Sequence, residues 1–161
     1  MIRGLEPSEE KQLLILGALP DIVHDQMLRI LDQLGLKNVS VLPQIRVEDE
    51  VAVGSNTYFI CAQPFLGASF DEMVRRGAIP ITAPFPFGAN GTTAWLKAIA
   101  DTFGVSENIF KAVTDAPRRR AELAIEKVSK ILKSRSVFFF PDSQLEIPLA
   151  RFLNQECGMN L

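Results

Sequence analysis

Three phenylalanines stand beside prolines where short apolar runs end, and their rings are the side chains that best fit a ligand site. Phe65 follows Pro64, and Phe85 and Phe87 flank Pro86. Aromatic rings on loops at the ends of strands can line a pocket for a flat hydrophobic ligand, and they can equally act as lids over the core. The residues alone leave both interpretations open.

Polar side chains follow two of the apolar runs that we predict to be strands. Gln63 comes directly after one run, and Asp142, Ser143 and Gln144 come directly after another. Ligands in open α/β sheets bind at the carboxyl ends of the strands, which favours a binding role for these residues. A helix cap by Asp142 or Ser143 is the alternative interpretation.

Three loops carry all of these side chains, at 63–66, 84–88 and 142–144. Each loop directly follows a run that we predict to be a strand parallel to the others. Because parallel strands present their carboxyl ends at the same edge of a sheet, we expect the three loops to converge there.

Other polar groups give weaker indications of chemistry. His24 lies within one helical turn of Asp21 and Asp25, but a single histidine beside two exposed carboxylates indicates a solvated helix face, and we assign no catalytic residue. The glycine-rich segment 88–92 precedes a predicted helix and can present N–H groups to an anion. It has neither the P-loop lysine nor a GxGxxG pattern, so a turn followed by a helix cap is favoured over phosphate binding.

The two cysteines predict no metal site. Cys61 and Cys157 lie far apart, in a strand pattern and a helix pattern, and His24 is the single histidine. Zinc and iron–sulfur sites usually need three or four clustered ligands. Both cysteines are therefore predicted to be reduced and buried.

Composition excludes several classes of protein. The 161 residues are 47% hydrophobic and 22% charged, which is enough apolar material for a buried core. A net charge of -2 gives no electrostatic footprint for a nucleic acid. No apolar stretch approaches the ~18–20 residues that a membrane span needs, and the first residues lack the pattern of a secretory signal. We therefore expect a cytoplasmic protein that does not bind membranes.

Apolar runs alternate with amphipathic stretches, which is typical of a βαβ series. The expected fold is a three-layer, Rossmann-like α/β domain with a mostly parallel sheet and helices on both faces. Predicted strands cover 13–17, 39–43, 58–62, 79–83 and 137–140. The segment 47–56 is predicted to be a surface connection, in which 51–53 could form a brief extended piece. Predicted helices cover 21–34, 69–76, a segment capped by Asn90 or Thr92 and ending at Gly104, a segment starting at Ser106, 118–133 and 145–156. The helix at 118–133 is expected to bury a stripe made of Leu123, Ile125, Val128, Ile131 and Leu132.

Several stretches together resemble the N subunits of light-independent protochlorophyllide reductases, a nitrogenase-like family. They are ILGALPDIV at 15–23, AQPFL at 62–66, APFPFG at 83–88, GTTAWL at 91–96, SVFFFPDSQLEIPLARFL at 136–153 and CGM at 157–159. The resemblance covers nearly the whole chain from about Leu13.

The resemblance implies a nitrogenase molybdenum–iron protein-like fold and a share in reducing the C17–C18 double bond of protochlorophyllide. It also implies a B subunit as partner, an iron–sulfur L protein that uses ATP, and a [4Fe–4S] cluster. Neither Cys61 nor Cys157 matches a cluster ligand, so the resemblance implies that the ligands lie outside this chain and that the chain alone is inactive. In this interpretation Phe65, Phe85 and Phe87 offer apolar surface to the pigment, and Gln63, Ser143 and Gln144 offer polar groups, with Asp142 nearby.

The resemblance also suggests how the chain is divided. Residues 1–12 are expected to form an extension, 13–135 a central Rossmann-like domain, and 136–161 the first strand and helix of a following domain that is truncated here. A free-standing α/β module that binds a small ligand without redox chemistry is the alternative.

Overall fold

A computed structural model describes residues 11–44, 51–140 and 145–161. The chain divides into two compact units, the first ending at Thr82 and the second beginning at Ala83. The first unit holds a parallel sheet with two helices, and the second is helical in its described part.

Four parallel strands form the sheet of the first unit in the order β2-β1-β3-β4. The strands are β1 (Gln12–Leu16), β2 (Val39–Leu42), β3 (Thr57–Cys61) and β4 (Ile79–Pro80). Every residue of β1 is buried, as expected for a central strand that is covered on both faces. The α/β class and the mostly parallel sheet are therefore confirmed.

Helices α1 (Asp21–Gln33) and α2 (Gly67–Arg75) connect neighbouring strands. The chain passes from β1 to β2 in one direction across the sheet and from β3 to β4 in the other. Because parallel crossovers are right-handed, the two helices cover opposite faces. On one face Leu14, Leu16 and Phe59 pack with Met73 of α2.

Two predicted features of the first unit are wrong in part. The fourth strand covers only Ile79–Pro80 instead of 79–83, and its pairing with β3 ends at the hydrogen bond from the Ile81 N–H to the Phe59 carbonyl oxygen, at 2.7 Å. In the predicted surface connection, Val51 and Val53 are buried in the core, without forming a strand. Their side chains belong to the same core cluster as Phe59 and Met73, and residues 47–50 of the segment lie outside the described residues.

The second unit contains α3 (Gly88–Phe103), α4 (Glu107–Leu132) and α5 (Glu146–Gln155). Trp95 and Ile99 of α3 are fully buried, and Phe110 and Thr114 are the buried residues of α4. Gly104 ends α3 in the left-handed conformation, and the Ser106 hydroxyl caps α4 by accepting from the N–H of Ile109. Both of these boundaries were predicted correctly.

Four predictions for the second unit are wrong. Asn90 and Thr92 do not cap α3, since the helix already begins at Gly88. One helix replaces the two predicted after Ser106, because Pro117 interrupts only one backbone hydrogen bond within a strongly helix-forming segment. The stripe predicted to be buried is not: Leu123, Val128 and Ile131 are exposed, and Ile125 and Leu132 are half-buried.

The fourth error is the strand predicted at 137–140. A strand needs a partner along its length, and Ser136 has only one parallel bridge, to Asn160. Phe138 and Phe140 remain exposed, with their rings packed edge to face 5.4 Å apart. The helix predicted at 145–156 is confirmed as α5, with Pro148 buried in its first turn.

Candidate functional site

The strand order creates a crevice at the carboxyl edge of the first unit's sheet. After β1 the chain turns to β2 on one side, while β3 lies on the other side of β1. The loops that leave β1 and β3 therefore diverge, and such a switch point is where open α/β sheets bind ligands. The carboxyl ends of β1, β2 and β3 lie at this edge, at Leu16, Leu42 and Cys61.

A cavity of about 120 Å³ lies at this switch point. Its walls are mostly apolar, and Gln63 and Ser69 supply the polar side chains. A dry cavity of about 150 Å³ can hold a benzene ring, so the space suits one ring or a short alkyl group of a larger ligand. The lining residues are Leu16, Gly17, Ala18, Leu42, Pro43, Gln63, Leu66 and Ser69.

The loop after β3 contains two residues of the predicted site. Gln63 is half-buried in the cavity wall. Phe65 has a backbone φ of 64°, which is uncommon for a residue other than glycine, and its side chain is 66% exposed. Strained backbone of this kind concentrates at functional sites, so the outward ring of Phe65 is consistent with a binding role.

Phe85 and Phe87 lie in the second unit, on the segment that leads into α3. Both rings are half-buried, and the Phe87 ring packs edge to face on Phe152 of α5 at 5.5 Å between centroids. The Arg151 guanidinium donates from Nη2 to the carbonyl oxygens of Phe85, at 3.4 Å, and Phe87, at 2.6 Å. A side chain of α5 therefore holds the main chain that carries these two rings.

The amino end of α3 does bind an anionic group, as the glycine-rich segment suggested, but the group belongs to the protein. Oε2 of Glu156 accepts from the N–H of Ala89 at 2.8 Å and of Asn90 at 3.2 Å. A negative charge is favourable at this end of a helix because the helix dipole is positive there. The phosphate interpretation is thus replaced by an internal carboxylate.

The remaining predicted residues are those of the 142–144 loop and the group around His24. Asp142, Ser143 and Gln144 lie outside the described residues. His24 is near only Asp25 among the two carboxylates, with Nδ1 3.4 Å from Oδ1 on an exposed helix face. The predicted convergence of the three loops stays a prediction, since its members belong to different units or fall outside the described residues.

The cysteines do not suit an iron–sulfur cluster. Burial raises the pKa of the Cys61 thiol, and burial followed by the charge of Glu156 raises the pKa of the Cys157 thiol. A raised pKa disfavours the thiolate that a metal needs. In the described part of the chain, no three His, Cys, Asp or Glu side chains group together to hold a metal ion. We therefore derive no step through a cluster in this chain.

Sequence reasoning missed Arg151 and Glu156. Their partners lie 64–67 positions earlier in the chain, and no local pattern links residues at that distance. Three other residues that line the cavity could have been predicted from their positions next to strand ends and helix starts. Gly17 and Ala18 directly follow β1, and Ser69 lies in the first turn of α2.

Within residues 11–44, 51–140 and 145–161, no helix combines the length and apolar character that crossing a bilayer requires.

Comparison with known proteins gives consistent results. Residues 2–161 match the model of the family described as nitrogenase component 1 type oxidoreductase. The chain is 52% identical to light-independent protochlorophyllide reductase subunit N of Roseobacter denitrificans over 159 residues. The subunits of the same name from Jannaschia sp. and Dinoroseobacter shibae are 54% and 55% identical to it. In all three cases the match covers 99% of this chain and 37% of the relative.

Proposed function

The chain belongs to the nitrogenase component 1 type oxidoreductase family, and we propose that it forms part of a light-independent protochlorophyllide reductase, as a segment of the N subunit. The observation that carries the proposal is 52–55% identity to three such subunits over nearly the whole chain. The chain spans 37% of their length, so we propose the activity for the assembled enzyme and not for this chain alone.

The proposed reaction of the assembled enzyme is reduction of the C17–C18 double bond of protochlorophyllide to give chlorophyllide. An L iron–sulfur protein that uses ATP would deliver electrons derived from ferredoxin, and the pair formed with a B subunit would pass them to the pigment through a [4Fe–4S] cluster whose ligands lie outside this chain. We place this assembly in the cytoplasm.

This chain would contribute scaffold and part of the pigment pocket wall. A tetrapyrrole is flat and apolar with a few carboxylate and carbonyl oxygens, so it needs apolar walls and a small number of polar groups. The cavity beside Gln63 has this character. Phe65, Phe85 and Phe87 would add apolar surface, and Asp142, Ser143 and Gln144 remain candidates for polar contacts.

The proposed division of the whole protein is a central domain at 13–135, preceded by an extension at 1–12 and followed by a second domain that begins at 136. In the described residues this region has one isolated parallel bridge, between Ser136 and Asn160, and the compact units of the structure divide instead between Thr82 and Ala83. A free-standing module without redox chemistry is not favoured, since all three relatives are subunits of a reductase.

A chimera tests the proposal. The matching 159 residues of the Dinoroseobacter shibae subunit are replaced by this chain, and the product is assayed for pigment reduction with that organism's other reductase components. We expect a turnover within about tenfold of the unmodified enzyme, because half of the replaced residues are identical.

A second chimera provides the matched control, with the corresponding segment taken from the Jannaschia subunit. If that control reduces the pigment while the first chimera folds, assembles with its partner and remains inactive, the proposed function is wrong.

A further inference from the structure

The segment that leads into α3 is held from one side by two charged residues of the last helical region. Arg151 donates to the carbonyl oxygens of Phe85 and Phe87, at 3.4 Å and 2.6 Å. Hydrogen bonds from a charged donor are stronger than those between neutral groups, and the planar guanidinium also constrains the direction of each acceptor. Arg151 therefore orients the Phe87 carbonyl and adds a second donor to the Phe85 carbonyl, which also accepts from the Phe87 N–H at 2.8 Å.

Glu156 secures the other end of the same segment. Its Oε2 accepts from two backbone N–H groups, those of Ala89 and Asn90, which are donors that the first turn of α3 cannot satisfy itself. Its Oε1 is buried and has no hydrogen-bond partner among the residues that the structure describes, so the carboxylate sits where water has little access. Together the two residues make four hydrogen bonds to backbone within residues 85–90.

Two glycines allow this close approach. A Cβ atom at Gly88 would overlap the Phe152 ring and the Glu156 carboxylate, and Gly88 also has a φ of 73°. A Cβ atom at Gly91 would overlap the Arg151 guanidinium and lie 2.8 Å from the carbonyl oxygen of Phe85. Glycine is favoured at Gly88 by its positive φ as well as by the nearby side chains, and at Gly91 by the backbone of Phe85 as well as by Arg151.

We infer that Arg151 and Glu156 are positioning residues, which fix the backbone of residues 85–90 and so hold the Phe85 and Phe87 rings where the pigment binds. The inference rests on the proposed function, because it gives these rings a substrate. Neither charged group needs to touch the pigment. Their effect is on the geometry of a wall that a rigid, flat ligand must match.

The test uses the active chimera and compares Arg151→Met with Arg151→Lys and with Arg119→Met. Arg119 is an exposed arginine of α4 and serves as the matched control. We expect Arg151→Met to raise the KM for protochlorophyllide about tenfold, with kcat changed less than about twofold, since the pocket wall acts on binding. Arg151→Lys should recover part of the loss because it keeps the charge but not the planar fork. Arg119→Met should leave both constants unchanged.

A second readout measures order in the segment directly. In the 161-residue chain, Glu156→Ala should accelerate hydrogen exchange at Ala89 and Asn90, and Glu156→Gln should restore much of the protection, because an amide oxygen still accepts. A wild-type KM in Arg151→Met, or an equal fall in kcat for Arg151→Met and Arg151→Lys together with lost thermal stability, would overturn the inference and leave the proposed function intact. An inactive wild-type chimera beside an active Jannaschia control would overturn both, whatever the exchange rates.

Discussion

Thr57 lies at the amino end of β3, away from the candidate site, and its hydroxyl joins three parts of the first unit. The side chain is fully buried, and Oγ1 accepts from Nε2 of Gln12 at 2.9 Å and from the N–H of Gly54 at 3.0 Å. Nε2 of Gln12 also donates to the carbonyl of Ala52. We therefore expect the chain to be more sensitive to loss of this hydroxyl than to loss of volume.

The substitution Thr57→Val keeps the shape but leaves the Gly54 N–H and one Gln12 N–H without this acceptor. Each of the two unsatisfied buried donors costs about 1–3 kcal/mol and the newly buried methyl group returns about 1 kcal/mol, so we expect a net loss of about 1–5 kcal/mol. Thr57→Ser keeps the hydroxyl and removes one methyl group, which should cost about 1 kcal/mol.

The assay is urea unfolding followed by far-ultraviolet circular dichroism, with the free energy extrapolated to water for each variant. The valine variant should be the less stable of the two, although valine matches threonine in shape. If the valine variant is as stable as the serine variant, or more stable, the hydrogen bonds of Thr57 do not stabilise the amino end of β3.

Three further predictions concern single groups. Hydrogen bonds from Arg75 and Arg76 lower the pKa of Glu72 to about 2, so the stabilisation it provides is complete above its usual pKa of 4.5 and disappears as the pH falls towards 2. The melting temperature of the wild type should exceed that of Glu72→Gln at pH 6, and the two melting temperatures should converge near pH 2. A difference in melting temperature that grows in acid would contradict this. Burial raises the pKa of the Cys61 and Cys157 thiols, so iodoacetamide at pH 8 should modify both more than about tenfold faster in denaturant, and equal rates would show an accessible thiolate. Gly104 has a φ of 73° with open space around it, so Gly104→Ala should lower the free energy of unfolding by about 1 kcal/mol through backbone strain alone, and Gly104→Asn by less, an order that urea unfolding can check.

Much of the first unit could be predicted from the sequence because its signals are local. The apolar run of β1 predicts a strand, and so do the aromatic and β-branched residues of β3. The amphipathic pattern between β1 and β2 predicts a helix. Parallel strands in this order then require a crevice at their carboxyl edge, so the position of Gln63 follows from topology.

The errors in the second unit have a common cause, since each depends on a partner that the local pattern does not reveal. The apolar spacing of Leu123, Val128 and Ile131 is helical, but spacing does not say whether another element covers that face. The run at 137–140 has strand-forming residues, yet only Ser136 finds a bridging partner. In the same way Asn90 was a reasonable cap by residue type, whereas the group that binds the start of α3 is a carboxylate 66 positions later.

The proposed role of this chain as part of the pigment pocket wall is tested most directly by the KM for protochlorophyllide in the chimera. Gln63→Ala removes one polar group from the wall of the cavity and is compared with Gln33→Ala on the exposed end of α1. Loss of one hydrogen bond worth about 0.5–1.5 kcal/mol corresponds to a rise in KM of roughly 2–13-fold. We expect that rise for Gln63→Ala, with folding and kcat retained, and no change for Gln33→Ala. An unchanged KM in Gln63→Ala, measured in an active chimera, would contradict the central claim.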